Sequence, residues 1–146
     1  MARLEQQLML GFYAIRKLGE SAKLSDATLK RQVTLTAYPS VGRPVTRMNW
    51  DKIDELYDFA APQIVVRDLP FVCNQLIHSY VFTTGRFDND NLFSIMFTSD
   101  RERKKSLYSM EIDDVIDFFE TVGRDYPACA SFKFNEEKQD YDIRQW

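Results

Sequence analysis

The residues best suited to chemistry are one histidine and an asparagine four positions before it. His78 is the only histidine in the sequence, and Asn74 precedes it within an apolar stretch. Side chains at this spacing project from the same face of a helix. An imidazole titrates near neutral pH, and a neighbouring amide can fix its tautomer and orientation. The pair could therefore act in acid/base chemistry, or the two side chains could satisfy each other and the nearby backbone.

A second candidate is a group of four cations within five positions. They are Arg101, Arg103, Lys104 and Lys105, with Glu102 among them. A charged turn usually keeps the tip of a hairpin hydrated. The alternative is a nucleic-acid-binding finger that contacts phosphates, with the ring of Tyr108 stacked on a base. The sequence leaves both interpretations open.

The motifs of the common cofactor and metal enzymes are absent from the sequence. It has no phosphate-binding glycine loop, no dinucleotide fingerprint, no HExxH, no CxxC and no GxSxG. One histidine and two cysteines cannot build a four-ligand zinc site, and we predict that Cys73 and Cys129 are small core residues. The carboxylate pairs at 113–114 and 136–137 are adjacent, so they do not face each other on a helix. We expect neither a cofactor nor a bound metal.

Composition predicts one domain that covers residues 1–146. The chain is 45% hydrophobic and 14% aromatic, which is enough for one buried core. A formal net charge of −3 argues against a broad nucleic-acid-binding surface but allows a local basic patch. The sequence has no run of roughly 20 apolar residues and no signal-peptide pattern at its start, so we predict a cytoplasmic protein with no membrane partner.

The elements that must position these residues begin with a long amphipathic helix. Its apolar residues recur every three or four positions through about Lys23: Leu4, Leu8, Phe12, Ile15, Leu18 and Ala22. Arg16, Glu20 and Lys23 lie beside this stripe at ion-pairing distances along the helix. They form either a hydrated row of salt bridges or the polar wall of a site.

The middle of the chain alternates strand and helix signals. Residues 33–38 alternate apolar and polar side chains, which predicts a half-buried strand. Asn49 can cap a second helix that carries Trp50, Ile53, Leu56 and Tyr57 and stops at Pro62. A third helix is predicted from Pro70 to about Phe82, with Asn74 and His78 on one face and Val72, Cys73, Leu76, Ile77 and Tyr80 on another.

The second half of the chain predicts strands and one more helix. Gly85 and residues 88–91 indicate a loop, after which LFSIMFTS and SLYSMEI form a hairpin across residues 100–105. Asp113 caps a helix with Val115, Ile116, Phe119 and Val122 as its apolar positions and Gly123 after its end. A terminal hairpin would pair Phe132 and Phe134 with Tyr141 and Ile143. The predicted fold is α+β: a helix-rich single domain with a long N-terminal helix, about four helices, a β-hairpin and additional short strands.

The stretch CNQLIHSY, from Cys73 to Tyr80, resembles the motif of the HEPN superfamily of helical-bundle ribonucleases and toxins. In that family an arginine, usually followed by a polar residue, precedes the histidine by about five to seven positions, and many members add a tyrosine two residues after it. Asn74, His78 and Tyr80 occupy the matching places. Cys73 stands at the place of the arginine, so the motif lacks the cation that would stabilise charge on a scissile phosphate.

The resemblance implies a homodimer whose motif helices meet, and a toxin–antitoxin or phage-defence context. Because the arginine is missing, we predict a non-catalytic interaction module, HEPN-like, that dimerises or binds a partner protein or RNA. The alternative is a metal-independent endoribonuclease in which His78 is the general acid/base and Asn74 orients it. Arg67 lies roughly 16 Å from His78 even along a continuous helix, so Arg16, Lys23 or a second subunit would have to supply the cation.

Overall fold

The computed structural model describes residues 2–86 and 91–146 of the chain. The helices are α1 (Ala2–Glu20), α2 (Asp26–Leu29), α3 (Ile53–Leu56), α4 (Leu69–Ile77) and α5 (Ile112–Arg124). The strands are β1 (Gln32–Pro39), β2 (Gln63–Asp68), β3 (Ser79–Arg86), β4 (Leu92–Ser99), β5 (Ser106–Glu111), β6 (Ala130–Asn135) and β7 (Asp140–Gln145). This is a mixed α+β fold, as the sequence predicts.

Five strands form one antiparallel sheet in the order β2-β1-β5-β4-β3. Strands β1 and β2 make one hairpin, and β3, β4 and β5 make a meander. Pairing of β1 with β5 joins the two units, with Thr36 opposite Ser109. The chain segment between β2 and β3, which contains α4, therefore crosses from one edge of the sheet to the other.

The main core lies between one face of this sheet and the helices α1, α4 and α5. Its fully buried members include Phe12 of α1, Leu76 of α4 and Phe118 of α5, which pack with Ile95 and Phe97 of β4. The apolar stripe predicted for α1 therefore faces the sheet. Within the described ranges, no helix combines the length and the apolar character needed to cross a bilayer.

Helix α1 ends at Glu20, three residues before the predicted end. Ala22 has a φ of 53°, in the left-handed region. The amide of Lys23 then donates to the carbonyl of Leu18 (2.8 Å), which is the bond that closes a Schellman motif. The apolar periodicity continues to Ala22, but this cap turns the chain away from the helix axis.

The segment between β1 and β2 covers the opposite face of the sheet. Its residues Val45, Leu56 and Tyr57 form a second core with Val81 and Leu107. The helix predicted from Asn49 to Pro62 is wrong, since only the single turn α3 forms. The Asn49 side chain accepts a hydrogen bond from the Thr46 amide (2.7 Å), so it closes a turn instead of capping a helix.

Helix α4 is shorter than predicted, and this changes the site. Its start is as expected, because Asp68 caps the amide of Phe71 (2.9 Å) and Pro70 lies in the first turn. It ends at Ile77, with His78 as the C-cap, and β3 begins at Ser79. The predicted extension to Phe82 is wrong because Val81–Thr84 is rich in β-branched and aromatic residues that pair with β4.

Several other boundaries also differ from the predictions. Strand β2 has no counterpart in the sequence prediction, and Gly85 belongs to β3 instead of a loop. The predicted loop at 88–91 lies outside the described residues, apart from Asn91. Helix α5 forms, but Glu111 is its N-cap instead of Asp113, and Gly123 lies inside it. Its Ile116 is 51% exposed, so the buried stripe passes through Phe118 instead.

The predicted hairpins both form, in different settings. Strands β4 and β5 lie in the middle of the large sheet. Strands β6 and β7 form a separate two-stranded sheet that pairs Phe132 with Ile143 and Phe134 with Tyr141. The Gln145 side-chain amide donates to the carbonyl of Ala22, which ties the base of this hairpin to the end of α1.

Candidate functional site

A cleft of about 590 Å³ lies between α1, α4 and the turn that joins β4 to β5. Helix α1 contributes Arg16, α4 contributes Phe71, Asn74, Gln75 and His78, and the turn contributes residues 99–102. The structure therefore brings Asn74 and His78 together with Arg101 of the basic cluster and with Arg16. Its volume falls within the ~300–1,000 Å³ that is typical of small-molecule sites.

The floor of the cleft is fixed by hydrogen bonds between α4 and β4. Gln75 is buried, and its Oε1 accepts from the Ser99 amide (2.9 Å). The Asp100 amide donates to the carbonyl of His78 (3.3 Å). These bonds hold the end of α4 beside the start of the turn, so the two walls keep a fixed relation.

The side chains of Asn74 and His78 are both exposed on the cleft wall. Their main chains are joined, since the His78 amide donates to the carbonyl of Asn74 (3.2 Å). Within residues 2–86 and 91–146, neither side chain makes a hydrogen bond to protein. The imidazole and the amide are therefore available to a ligand.

Two guanidinium groups reach the cleft, and they differ in their partners. Arg16 is half-buried, and its Nε donates to Glu20 (2.7 Å), which Lys17 also contacts at 2.7 Å. The predicted pair of Arg16 with Glu20 thus forms, whereas Lys23 lies beyond the end of the helix. Arg101 is exposed and has no ion pair with any described residue. Its guanidinium is the one that a bound anion can approach without breaking an ion pair.

The rest of the basic cluster points elsewhere. Arg103 is only 20% exposed and lies 3.0 Å from Asp100 Oδ1, and its guanidinium also donates to the carbonyl of Val45. Lys105 pairs with Glu102 (3.0 Å), and Lys104 is exposed. Of the four cations only Arg101 lines the cleft, and phosphate binding by the whole cluster stays a prediction. These pairs also offset the charges of Asp100 and Glu102, the two carboxylates in the cleft wall.

Tyr108 does not lie on the surface as a stacking platform for bases. Its ring is 4% exposed and packs edge-on against Phe71, with the centroids 5.4 Å apart. Its hydroxyl donates to Glu102 (3.1 Å). Burial, helped by the neighbouring Glu102 carboxylate, raises the pKa of Tyr108 to about 12. The predicted base contact by this residue is wrong, whereas the half-buried ring of Phe71 lines the cleft.

Tyr80 is also separated from the other predicted site residues. It lies on β3 instead of the motif helix and packs with the second core on the far face of the sheet. The guanidinium of Arg103 lies 3.9 Å from its ring centroid, and that of Arg47 lies 5.5 Å away. Tyr80 therefore holds the β4–β5 turn in place through Arg103 and does not line the cleft.

The two cysteines have opposite environments. Cys73 is 2% exposed, as predicted, and burial raises its pKa to about 12, against the opposing effect of Arg16. This thiol remains protonated at neutral pH and is a poor nucleophile. Cys129 is exposed, so its predicted place in the core is wrong. At the position where the HEPN motif has its arginine, this chain has a side chain that faces the core.

Sequence reasoning missed four members of the cleft: Phe71, Gln75, Ser99 and Asp100. One signal was available for Gln75, because it is a polar residue on the otherwise apolar face of α4. Among the described residues, no group of three or more histidine, cysteine, aspartate or glutamate side chains is placed to hold a metal. Comparison of the chain with protein-family models, curated proteins and solved structures gives no match.

Proposed function

We propose that this domain is a non-catalytic interaction module that binds single-stranded RNA in the cleft between α1, α4 and the β4–β5 turn. The observation that carries the proposal is the placement of Arg101, which has no ion-pair partner among residues 2–86 and 91–146, in the same cleft as the open side chains of Asn74 and His78. A cation beside hydrogen-bonding side chains suits a ligand that has both phosphates and base edges.

Each group has a role that follows from its chemistry. The guanidinium of Arg101 can bind a phosphate through two parallel hydrogen bonds, and Arg16 can contact a neighbouring phosphate while it stays paired with Glu20. Asn74 and His78 both donate and accept hydrogen bonds, as the edges of bases require. The ring of Phe71 offers an apolar surface for one base. The net charge of −3 argues against a broad phosphate-binding surface, so binding depends on local contacts such as those of the cleft.

Binding of a short fluorescent single-stranded RNA, followed by anisotropy, tests the proposal. Loss of the Arg101 guanidinium in Arg101→Ala should weaken binding about tenfold, the effect of about 1.4 kcal/mol. Lys104→Ala is the matched control, since it removes the same charge from the same turn at an exposed position outside the cleft lining. Equal losses for the two variants, or no binding by the unaltered protein, would contradict the proposal.

A second candidate, a metal-independent ribonuclease, is favoured by one observation. The His78 ring is exposed and has no hydrogen-bond partner in the described part of the chain. It could take the proton of a ribose 2′-hydroxyl while that oxygen attacks the adjacent phosphate. The phosphate would become a 2′,3′-cyclic phosphate, and the 5′-oxygen would leave and need a proton.

That reaction needs two proton transfers, and the cleft contains one imidazole. The carboxylates of Asp100 and Glu102 pair with Arg103 and Lys105, so they are not placed as the second acid. This shortage is why we favour binding without catalysis. Incubation of RNA with the protein in EDTA distinguishes the two: cleavage that His78→Ala abolishes would replace the binding proposal with the ribonuclease.

The homodimer, the toxin–antitoxin or phage-defence setting and the cytoplasmic location stay predictions. The HEPN resemblance also stays a prediction, and it is supported by the presence of two of its matching residues, Asn74 and His78, in the lining of one cleft. Light scattering of the purified protein measures the oligomeric state directly. A dimer whose interface includes α4 is the result that the resemblance implies.

A further inference from the structure

A second, smaller cavity adjoins the cleft on the other side of Arg16. It has a volume of about 270 Å³ and lies between α1, α2 and α4. Its apolar wall consists of Ile15, Gly19, Leu29, Leu69, Pro70 and Cys73. Arg16 and Asn74 line both this cavity and the cleft, so the two spaces meet at these side chains. We call the smaller space the apolar compartment.

The composition of the compartment indicates what it can hold. Apart from Arg16, Glu20 and Asn74, its lining has no polar side chain except the thiol of Cys73. The carboxylate of Glu20 pairs with Arg16 and Lys17, so its charge is offset within this lining. The volume lies just below the ~300 Å³ at which sites for drug-sized ligands begin. One ring system fits this space better than a whole small molecule.

A ligand that fills both spaces must join an uncharged ring to an anionic chain. The guanidinium of Arg16 lies where the two spaces meet, so the anionic link would pass beside it. We propose that the apolar compartment receives one unstacked nucleobase of an RNA strand whose phosphates lie in the cleft. This inference rests on the proposed function, and it names the part of the ligand that the cleft alone does not bind. Asn74 can then hydrogen-bond the edge of that base.

Gly19 is the residue that keeps the compartment open. A glycine inside a helix costs roughly 0.5–1 kcal/mol relative to alanine, so its place in α1 calls for a local reason. A Cβ at this position would lie 2.8 Å from Cδ2 of Leu29, across the compartment wall. Any side chain at position 19 must therefore push Leu29 aside or enter the cavity.

The test compares a single-stranded oligouridylate with a strand of the same length made of abasic ribose phosphates. The two strands carry the same charge, so any difference in affinity measures the bases. We expect the unaltered protein to bind the base-containing strand about tenfold more tightly, which is the lower part of the range for one stacked or buried base. Gly19→Leu should reduce this preference, because the base contacts of Phe71 and His78 in the cleft remain, and should leave the affinity for the abasic strand unchanged.

Gly123→Leu is the matched control. Gly123 also lies in a helix, and a Cβ there meets nothing within 4 Å, so the variant gains the same helix propensity without filling a cavity. Gly19→Ala, a smaller change, replaces Gly19→Leu if the latter does not give the circular dichroism of the unaltered protein. A reduced preference is then the expected result.

Four outcomes would overturn the inference. The same preference for the base-containing strand in Gly19→Leu as in the unaltered protein would exclude the compartment as a base site and leave the cleft proposal standing. Equal losses for both strands in Gly19→Leu, or the same losses in Gly123→Leu, would show a general effect on folding. Binding of neither strand by the unaltered protein would overturn the proposed function together with the inference.

Discussion

The β4–β5 and β6–β7 hairpins both join two strands through a polar turn, but they differ in how far they are buried. In β4 and β5 the central apolar residues are buried, with Ile95, Phe97 and Leu107 all at 0% exposure. In β6 and β7, Phe132 and Phe134 are 64% and 50% exposed. Strands β6 and β7 alternate apolar and polar residues, whereas β4 and β5 contain runs of apolar residues. The polar turn predicts in both cases that the strands pair, and the apolar runs of β4 and β5 fit burial on both faces of the sheet.

The difference arises from the neighbours of each hairpin. The β4–β5 hairpin has β1 and β3 on its two sides, helices over one face and residues 40–62 over the other. Among the described strands, β6 and β7 pair only with each other. The pairing of β6 with β7 is stabilised by cross-strand contacts such as the edge-on rings of Phe134 and Tyr141, whose centroids are 5.3 Å apart. A two-stranded sheet of this kind is marginally stable without other support.

The largest predicted effect comes from removing one ring from each hairpin. Phe97→Ala should lower the free energy of unfolding by about 3–5 kcal/mol, because it leaves a cavity in the main core. Phe134→Ala should lower it by less than about 1 kcal/mol, since half of its ring is already in water. Urea unfolding followed by circular dichroism measures both. Similar losses for the two variants would mean that the terminal hairpin is covered in solution.

A second prediction concerns pH and the buried tyrosines around the β4–β5 hairpin. Burial raises the pKa of Tyr57 and Tyr108 to about 12, above their ordinary value of 10. A raised folded-state pKa gives stability that is complete below pH 10 and is lost as the pH rises toward 12, because the unfolded chain loses these protons first.

Thermal unfolding measured from neutral pH to pH 12 tests this loss. Tyr108→Phe should make the fall above pH 10 shallower, because the variant has no hydroxyl to ionise at that position. The same steepness in the variant and in the unaltered protein would show that burial of Tyr108 does not cause the loss.

How much of this could be read from the sequence depends on how local the signal is. Helix α1, strand β1 and the terminal hairpin follow from periodicity, and the β4–β5 hairpin follows from strand-forming runs on both sides of a polar turn. The helical pattern of the sequence predicts that α4 continues to about Phe82, but long-range pairing of β3 with β4 overrides that local pattern. The sequence does not predict strand β2, because its apolar residues Ile64 and Val66 are on the exposed face of the strand. Its residues therefore lack the usual pattern of apolar side chains inside and polar side chains outside.

The candidate site, like the fold, could be predicted from the sequence only where its residues are close along the chain. The spacing of Asn74 and His78 along one helix predicts their common wall, since that relation is local. Arg16 and Arg101 reach the same cleft because of the way α1 and the β4–β5 turn pack. Of these two, the sequence suggests only Arg16 as a cation beside His78, since packing between distant segments is not visible in local spacing. The predicted place of Tyr80 on the motif helix is wrong, because α4 ends at Ile77 with His78 as its C-cap, and Tyr80 therefore lies on β3.

A third prediction separates the terminal hairpin from the rest of the molecule. A chain that ends at Pro127 lacks β6 and β7 and loses the bonds from Gln145 to Ala22 and Asp26. It should remain folded and lose about 1 kcal/mol of unfolding free energy, the value of one or two part-buried hydrogen bonds. Nuclear magnetic resonance spectra of residues in the large sheet measure the outcome. A chain that ends at Glu111, before the buried Val115 and Phe118, is the control and should not fold.

The smallest predicted effect is at the tip of the terminal hairpin. Hydrogen bonds from Lys138, and to a smaller extent from Asn135, lower the pKa of Asp142. The contribution of this carboxylate to folding stability is therefore present at neutral pH and is lost as the pH falls through the lowered pKa. Asp142→Asn should leave the unfolding temperature unchanged, because the pair is exposed. Amide exchange near Tyr141 should become faster. A clear drop in unfolding temperature would contradict this account.

The hydrogen bond from the Ser99 amide to the buried Gln75 side chain joins the candidate site to the unfolding of the large sheet. Any local unfolding that separates α4 from β4 also disrupts the cleft. A ligand bound in the cleft must therefore dissociate before the amides of β4 become accessible to solvent. Occupancy should therefore slow hydrogen exchange in β4 and raise the melting temperature in proportion to the logarithm of ligand concentration above the Kd. Thermal shift can thus rank ligands for this cleft even when no reaction follows their binding.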